Sequence, residues 1–123
     1  MRGERSIALY VEDMLECIEK IESYCAGVTA DEFAADSLLQ DAVFRRLEVI
    51  GEAAKHVPEA VRSRHPDFPW RRVAGLRDVL IHQYPSVIVE RVWQVVTVDM
   101  PTVKPHLLQV QADLESAEQK GSE

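Results

Sequence analysis

Between Arg77 and Tyr84 this chain places a guanidinium, an imidazole and a phenol within eight residues. A guanidinium stays charged at any physiological pH and can grip a phosphate through two parallel hydrogen bonds. An imidazole has an unperturbed pKa of about 6.5, so it both takes and gives a proton near neutrality. Together Arg77 and His82 could cleave RNA without a metal. The imidazole would deprotonate the ribose 2′-hydroxyl or protonate the leaving oxygen, and the guanidinium would stabilise the charged phosphorane. The same spacing also fits a surface Arg and His at the end of a helix, and spacing alone leaves both readings open.

Arg77 and His82 are five positions apart. On a regular helix that separates their side chains by roughly 140° around the axis. Arg77 and Tyr84, seven apart, would share a face. One regular helix is therefore a poor way to converge Arg77 and His82 on one phosphate. Either the helix loosens near His82, or two chains meet across a two-fold axis so that both copies line one cleft. The second is the preferred expectation.

The elements that must carry these residues read as helices. Ile7, Val11, Met14, Ile18, Ile21 and Cys25 recur at steps of four and three, and Gly27 offers a stop. Thr29 with Glu32 fits a capping box, and Asp36 or Ser37 offers a further N-cap. Val43, Leu47, Ile50 and Ala54 form the next stripe, which Pro58 ends. Trp70, Val73, Leu76, Leu80 and Ile81 predict a helix that stops before Pro85. Ser86 can cap another, burying Val89, Val92, Trp93 and Val96, with a break or kink at Asp99-Met100-Pro101. Val103, Leu107, Val110 and Leu114 predict the last helix, fraying from about residue 118. The valines at 95, 96 and 98 look strand-like, but a lone strand has no partner. The expected architecture is all-α, an antiparallel bundle of four to five main helices, in one domain over residues 1–123.

Composition narrows the function classes. Apolar residues make up 46% of the chain, enough for a core. No run approaches the roughly 20 apolar residues of a membrane span, and residues 1–10 lack the apolar stretch of a secretory signal. A cytoplasmic location is expected, with no membrane association. Cys17 and Cys25, eight positions apart, would lie about 12 Å apart along one helix, too far for a disulfide. The net charge of −7 argues against a general nucleic-acid binder. Yet residues 45–77 hold eight basic residues against four acidic ones, a local net of +4. Local fields decide where a polyanion docks, although a solvated helix face would carry the same charges.

Arg77 and His82 match the Arg-x4-His signature of HEPN domains, and Tyr84 extends it to the Arg-x4-His-x-Tyr motif of HepT-like toxins. The resemblance includes the segment Arg45 to Lys55, the run Pro69 to Arg77, Val92-Trp93 and Asp99-Met100-Pro101. It covers roughly residues 5–115. It implies an all-α HEPN-like bundle that dimerises with the two motifs at the interface. It further implies a metal-independent endoribonuclease, the toxin of a toxin–antitoxin pair, with RNA as substrate. Arg77 and His82 would be catalytic. The partner would be a minimal nucleotidyltransferase that silences the toxin by transferring AMP to Tyr84, and larger assemblies with that partner are compatible. No metal or cofactor is implied. Asp78, Arg45, Arg46 and Arg72 are candidates to support the site or contact RNA. Two positions depart from the family pattern: Asp78 stands where asparagine is frequent, and Pro85 where an aromatic often follows the tyrosine.

Other residues have plainer readings. Trp70 and Trp93 at core spacing are expected to pack. Arg45 and Arg46 fit surface ion pairs with Glu48 or Glu52 as well as RNA contacts. Asp41 and Glu48 share a face but lack a third metal ligand in register. His56 and His65, near turns, are expected to be solvated, and His106 to lie near the start of the last helix without a partner. Two other readings compete with a ribonuclease: a non-catalytic subunit presenting nucleotide or substrate to a nucleotidyltransferase, and a structural helical dimer.

Overall fold

The computed structural model describes residues 6–76, 78 and 88–122. They form α1 (Ile7–Tyr24), α2 (Ala30–Ala35), α3 (Ser37–Lys55), α4 (Glu59–Arg62), α5 (Trp70–Ala74), α6 (Ile88–Gln94), a π-helical turn (Val95–Asp99) and α7 (Met100–Ser122). No strand occurs among the described residues. The all-α class expected from the periodicities is the class observed.

Local signals in the sequence set the helix ends. The Ser6 hydroxyl accepts from Leu9 N–H at the start of α1. Past its end Gly27 adopts φ +74°, a left-handed conformation that costs glycine little. Thr29 and Glu32 complete a reciprocal capping box at α2, with bonds of 3.1 and 2.9 Å. Asp36 caps α3 by accepting from Leu39 N–H at 3.0 Å. At the far end of α3, Arg62 donates to the carbonyls of Ala54 and Val57, both at 2.8 Å. The Ala54 carbonyl also accepts from Val57 N–H at 3.2 Å, so Arg62 adds a second bond where the helix pattern runs out.

The core follows the predicted stripes. Val11, Met14, Ile18 and Ile21 of α1 and Val43, Leu47, Ile50 and Ala54 of α3 are buried, and the two helices pack on each other. Ile7 and Cys25, at the ends of the first stripe, are only half-buried. α1 also packs on α7, α2 packs on α3 and α6, and α5 packs on α3. Trp93 lies tilted against buried Phe33, with centroids 5.0 Å apart, so it packs as its spacing implied.

Two expectations need correction. Of the break or kink expected at Asp99-Met100-Pro101, the break does not occur. α6 runs through the π turn into α7, with Met100 N–H bonding to the Val95 carbonyl five residues back. Pro101 has no N–H for the Thr97 carbonyl, and its ring would crowd that carbonyl in an α turn. The wider turn relieves both problems and lets the helix continue. His65 is not simply solvated: its Nε2 lies 3.0 Å from Asp113 Oδ2. His56 is exposed, as expected, and one face of its ring stacks on Tyr10 with centroids 4.6 Å apart and planes 7° apart.

The His65–Asp113 contact ties the loop before α5 to α7, and Arg64 Nε adds a 3.5 Å ion pair to the same carboxylate. The His65 hydrogen bond first, and then the Arg64 charge, hold the Asp113 carboxyl below its ordinary pKa. A depressed carboxylate pKa stabilises the fold above the unfolded value, about 3.9, and this is lost as pH falls through the folded value. Asp113→Asn should therefore lower stability above the unfolded carboxyl value, and the deficit should shrink as pH falls below about pH 4. Urea unfolding of both proteins from pH 3 to 8 measures this. A deficit independent of pH would show that the charge of Asp113 contributes nothing.

Candidate functional site

α5 is a short platform. Trp70 and Val73 face inward and are buried, whereas Arg71 and Arg72 are exposed. Trp70 is fixed by its indole N–H, which donates to the His65 carbonyl at 3.0 Å, and by a tilted contact with Phe68 at 4.5 Å. The expected helix from Trp70 onward does not run unbroken. α5 closes at Gly75, whose N–H turns back to the carbonyls of Arg71 and Val73. Glycine is a weak helix former, so the chain can interrupt there at little cost. Leu76 and Asp78 are helical again.

Behind this platform lies a cavity of about 320 Å³ between α5, α6, the π turn and the start of α7. Val73, Leu76, Val92, Val95, Met100 and Val103 supply apolar walls. Arg71, Arg72, Arg91 and Asp99 supply the polar part of its lining. Leu76 immediately precedes residue 77, and Arg91 follows residue 87 by four positions. The chain segment that carries the Arg-x4-His-x-Tyr motif thus leaves from one wall of this cavity and returns near another. Arg77, His82 and Tyr84 themselves lie outside the described residues, as do Leu80, Ile81, Pro85 and Ser86 of the expected helix boundaries.

The remaining candidates separate into two places. Arg72 joins Arg71 and Arg91 at the cavity, and Asp78 is exposed just beyond it in the chain. Arg45 instead lines a groove between α1 and α3, with Tyr10, Asp13, Glu48, Glu52 and His56. Arg46 turns inward: its Nη1 lies 3.8 Å from the thiol of buried Cys17. Burial pushes the Cys17 thiol pKa up, while the Arg46 charge works in the opposite direction. Cys17 and Cys25 are both free thiols. The two lining sets share no residue, so the structure does not bring Arg45 and Arg46 to the arginine cluster. Sequence reasoning missed Arg91, because the basic segment was taken to end at residue 77. Its signal was a lone arginine beside Val92, at a helix position that a core stripe had already marked. Among the described residues no group of three His, Cys, Asp or Glu side chains could hold a metal ion. No described helix is long and apolar enough to cross a membrane.

The ribonuclease HepT-like family model matches residues 14–110, a span that includes the platform, the motif segment and the helix returning from it. The chain belongs to the HepT-like family. A probable ribonuclease HepT of Thermococcus cleftensis is 43% identical over 101 residues, covering 82% of this chain and 92% of that protein. A putative RNase of Methanocaldococcus jannaschii is 34% identical over 116 residues, covering 94% of this chain and 96% of its own. A gamma-glutamylcyclotransferase and putative RNase of the same archaeon is 39% identical over 111 residues; the match covers 90% of this chain but only half of that protein. No solved structure matches the chain. The family is one of ribonucleases, and its HEPN-type helical fold is the class seen in this chain.

The break at Gly75 has a measurable consequence. Among the described residues, a Cβ added there would meet nothing closer than the Arg71 carbonyl oxygen at 3.4 Å, an ordinary contact. The backbone is not left-handed at this position. Gly75→Ala should therefore raise stability by about 0.4–1 kcal/mol, chiefly by restricting the unfolded chain. Thermal unfolding measures it, and a loss of stability would show that the interruption after α5 requires glycine.

Proposed function

We propose that this chain is the ribonuclease toxin of a toxin–antitoxin pair, cutting single-stranded RNA without a metal. The observation that carries the proposal is the order Arg77-x4-His82-x-Tyr84 inside the region matched by the HepT-like family model. The arginines at the cavity beside that segment support it, since they offer a phosphate-binding surface on a chain of net charge −7.

In this mechanism the ribose 2′-oxygen attacks phosphorus and the bond to the 5′-oxygen breaks. A 2′,3′-cyclic phosphate and a 5′-hydroxyl result. One proton leaves the 2′-hydroxyl and another reaches the departing oxygen. His82 moves protons, and in a two-fold cleft the copies from two protomers can divide the acid and base roles. Arg77 clamps the phosphate and stabilises the extra negative charge of the transition state. The homodimer brings the two motifs together.

Cleavage of a labelled single-stranded RNA in EDTA tests the reading. Wild type should cut and leave cyclic phosphate ends. His82→Ala should lose about 10²–10⁴ in rate with its fold intact. Arg77→Lys should also be impaired, because an ammonium cannot reproduce the two-pronged grip. Activity that vanishes in EDTA and returns with magnesium would sink the metal-free mechanism. A protein that binds nucleotide but never cuts would favour the non-catalytic subunit. A strict monomer at micromolar concentration would remove the shared cleft.

Silencing would occur at Tyr84. In the presence of a minimal nucleotidyltransferase, the phenol oxygen attacks the α-phosphorus of ATP, pyrophosphate leaves and the phenolic proton is lost. The attached AMP sits two residues from His82, where its phosphate competes with RNA for Arg77 and its nucleoside obstructs the cleft. Mass spectrometry after incubation with the partner, ATP and magnesium should find AMP on Tyr84. RNA cleavage should fall in step with the modified fraction, and Tyr84→Phe should escape. Modification at Tyr10 or Tyr24 instead would overturn the assignment.

A further inference from the structure

The cavity behind α5 has a chemistry that strand cleavage does not use. Its walls are aliphatic, and one carboxylate, Asp99, stands among them on the π turn. Asp99 is half-buried. Among the described residues, no hydrogen bond or ion pair engages its side chain, nor those of Arg71, Arg72 and Arg91. A half-buried carboxylate among the residues that line an apolar cavity offers two acceptors to the N–H groups of a ligand. Arg71, Arg72 and Arg91 also line the cavity and are exposed. The volume, about 320 Å³, lies at the small end of the range for ligand sites.

We propose that this cavity is a guanine subsite, seating one base of the RNA beside the cleavage segment, with Asp99 reading its edge and Arg91 and Arg72 holding the adjoining phosphates. The proposal rests on the RNA-cleaving reading and adds a substrate preference to it. The choice of base follows from donor geometry. A carboxylate has two oxygens and accepts only. Guanine presents two neighbouring donors, N1–H and the 2-amino group, which match those oxygens as a parallel pair. Adenine and cytosine each place an acceptor nitrogen beside their one amino donor, and uracil flanks its single N–H with two carbonyl oxygens. Each of these would set a lone pair against the carboxylate. The aliphatic walls remove the base faces from water without distinguishing one base from another, so discrimination falls to Asp99.

Charge also fits. A carboxylate alone would repel RNA, but three guanidiniums on the same lining leave this surface positive. The wide turn contributes as well. It places Asp99 on the same cavity as Val95 and Met100, within a helix that would otherwise present a regular α face.

The test has two parts. The first is equilibrium binding of 5′-GMP, AMP, CMP and UMP, followed by methyl NMR of the wild-type protein. GMP should bind best and shift the methyl signals of Val73, Val95, Val103 and Met100. Asp99→Asn should weaken GMP about 5- to 150-fold, the size of a lost two-bond base contact, and bring it level with AMP. Arg91→Gln should weaken GMP but not guanosine. Equal binding of all four nucleotides, no binding at millimolar concentration, or shifts at the groove near Tyr10 and His56 would each overturn the subsite. The second part sequences the ends of fragments cut from a random RNA. Wild type should cut at a fixed offset from guanosine, and Asp99→Asn should flatten that preference. Cutting with no base preference, or with one that Asp99→Asn leaves unchanged, would sink the subsite and leave the ribonuclease reading intact. GMP binding as described by a protein that leaves RNA uncut would do the reverse.

Discussion

The position of Trp70 sets the geometry around the proposed site. Its indole N–H is held by the His65 carbonyl, its ring lies against Phe68, and the Arg62 guanidinium sits 6.0 Å from the ring centroid. Each of those neighbours is tied elsewhere. Arg62 closes the end of α3 through two carbonyls, and His65 reaches Asp113 on α7. The loop between α3 and α5 therefore joins three parts of the bundle at one aromatic side chain. α5 has only five residues, too few for a helix to hold itself in water. Its direction is imposed by burial of Trp70 and Val73, and the motif segment begins three residues after α5 ends.

The parts of this arrangement that were legible in the sequence are those that depend on local physics. Thr29 with Glu32, Asp36, and Gly27 act within four residues of themselves, and each does what its type predicts. The stripes of α1 and α3 repeat over several turns, so errors at one position average out. The features that were not legible are contacts across the chain. Nothing near His65 announces Asp113, which is 48 residues away, and nothing near His56 announces the face of Tyr10. The break expected at Pro101 is absent for a different reason. A proline forbids one hydrogen bond, but the helix had the option of changing register for one turn, and buried Val95 and Val96 on one side with Met100 and Val103 on the other favour continuity. Of the candidate site, Arg72 could be seen from its neighbours in sequence, whereas Arg91 joins it only through folding.

Charge shows the same division between count and placement. The segment from residue 45 to 77 is basic by count, yet its arginines do different things. Arg62 satisfies backbone carbonyls, Arg64 pairs with Asp113, and Arg46 leans on Cys17. Arg45 shares its groove with three carboxylates. Among the described residues of the segment, Arg71 and Arg72 are exposed beside an apolar cavity, and Arg91 arrives there from outside the segment. An acidic chain can still present a positive surface where it matters, because at physiological salt a charge more than about 8 Å away across solvent is largely screened.

The proposed subsite and the proposed catalytic segment share a wall. The cavity is lined by residues just before the segment, Val73, Gly75 and Leu76, and by residues just after it, Arg91, Val92 and Val95. A ligand that fills the cavity would therefore touch residues on both sides of the segment that carries Arg77 and His82. The π turn, whose hydrogen bond spans five residues instead of four, forms part of the same wall and carries Asp99. A base held there would be fixed close in the chain to the residues proposed to cut, which ties the choice of base to the choice of scissile bond.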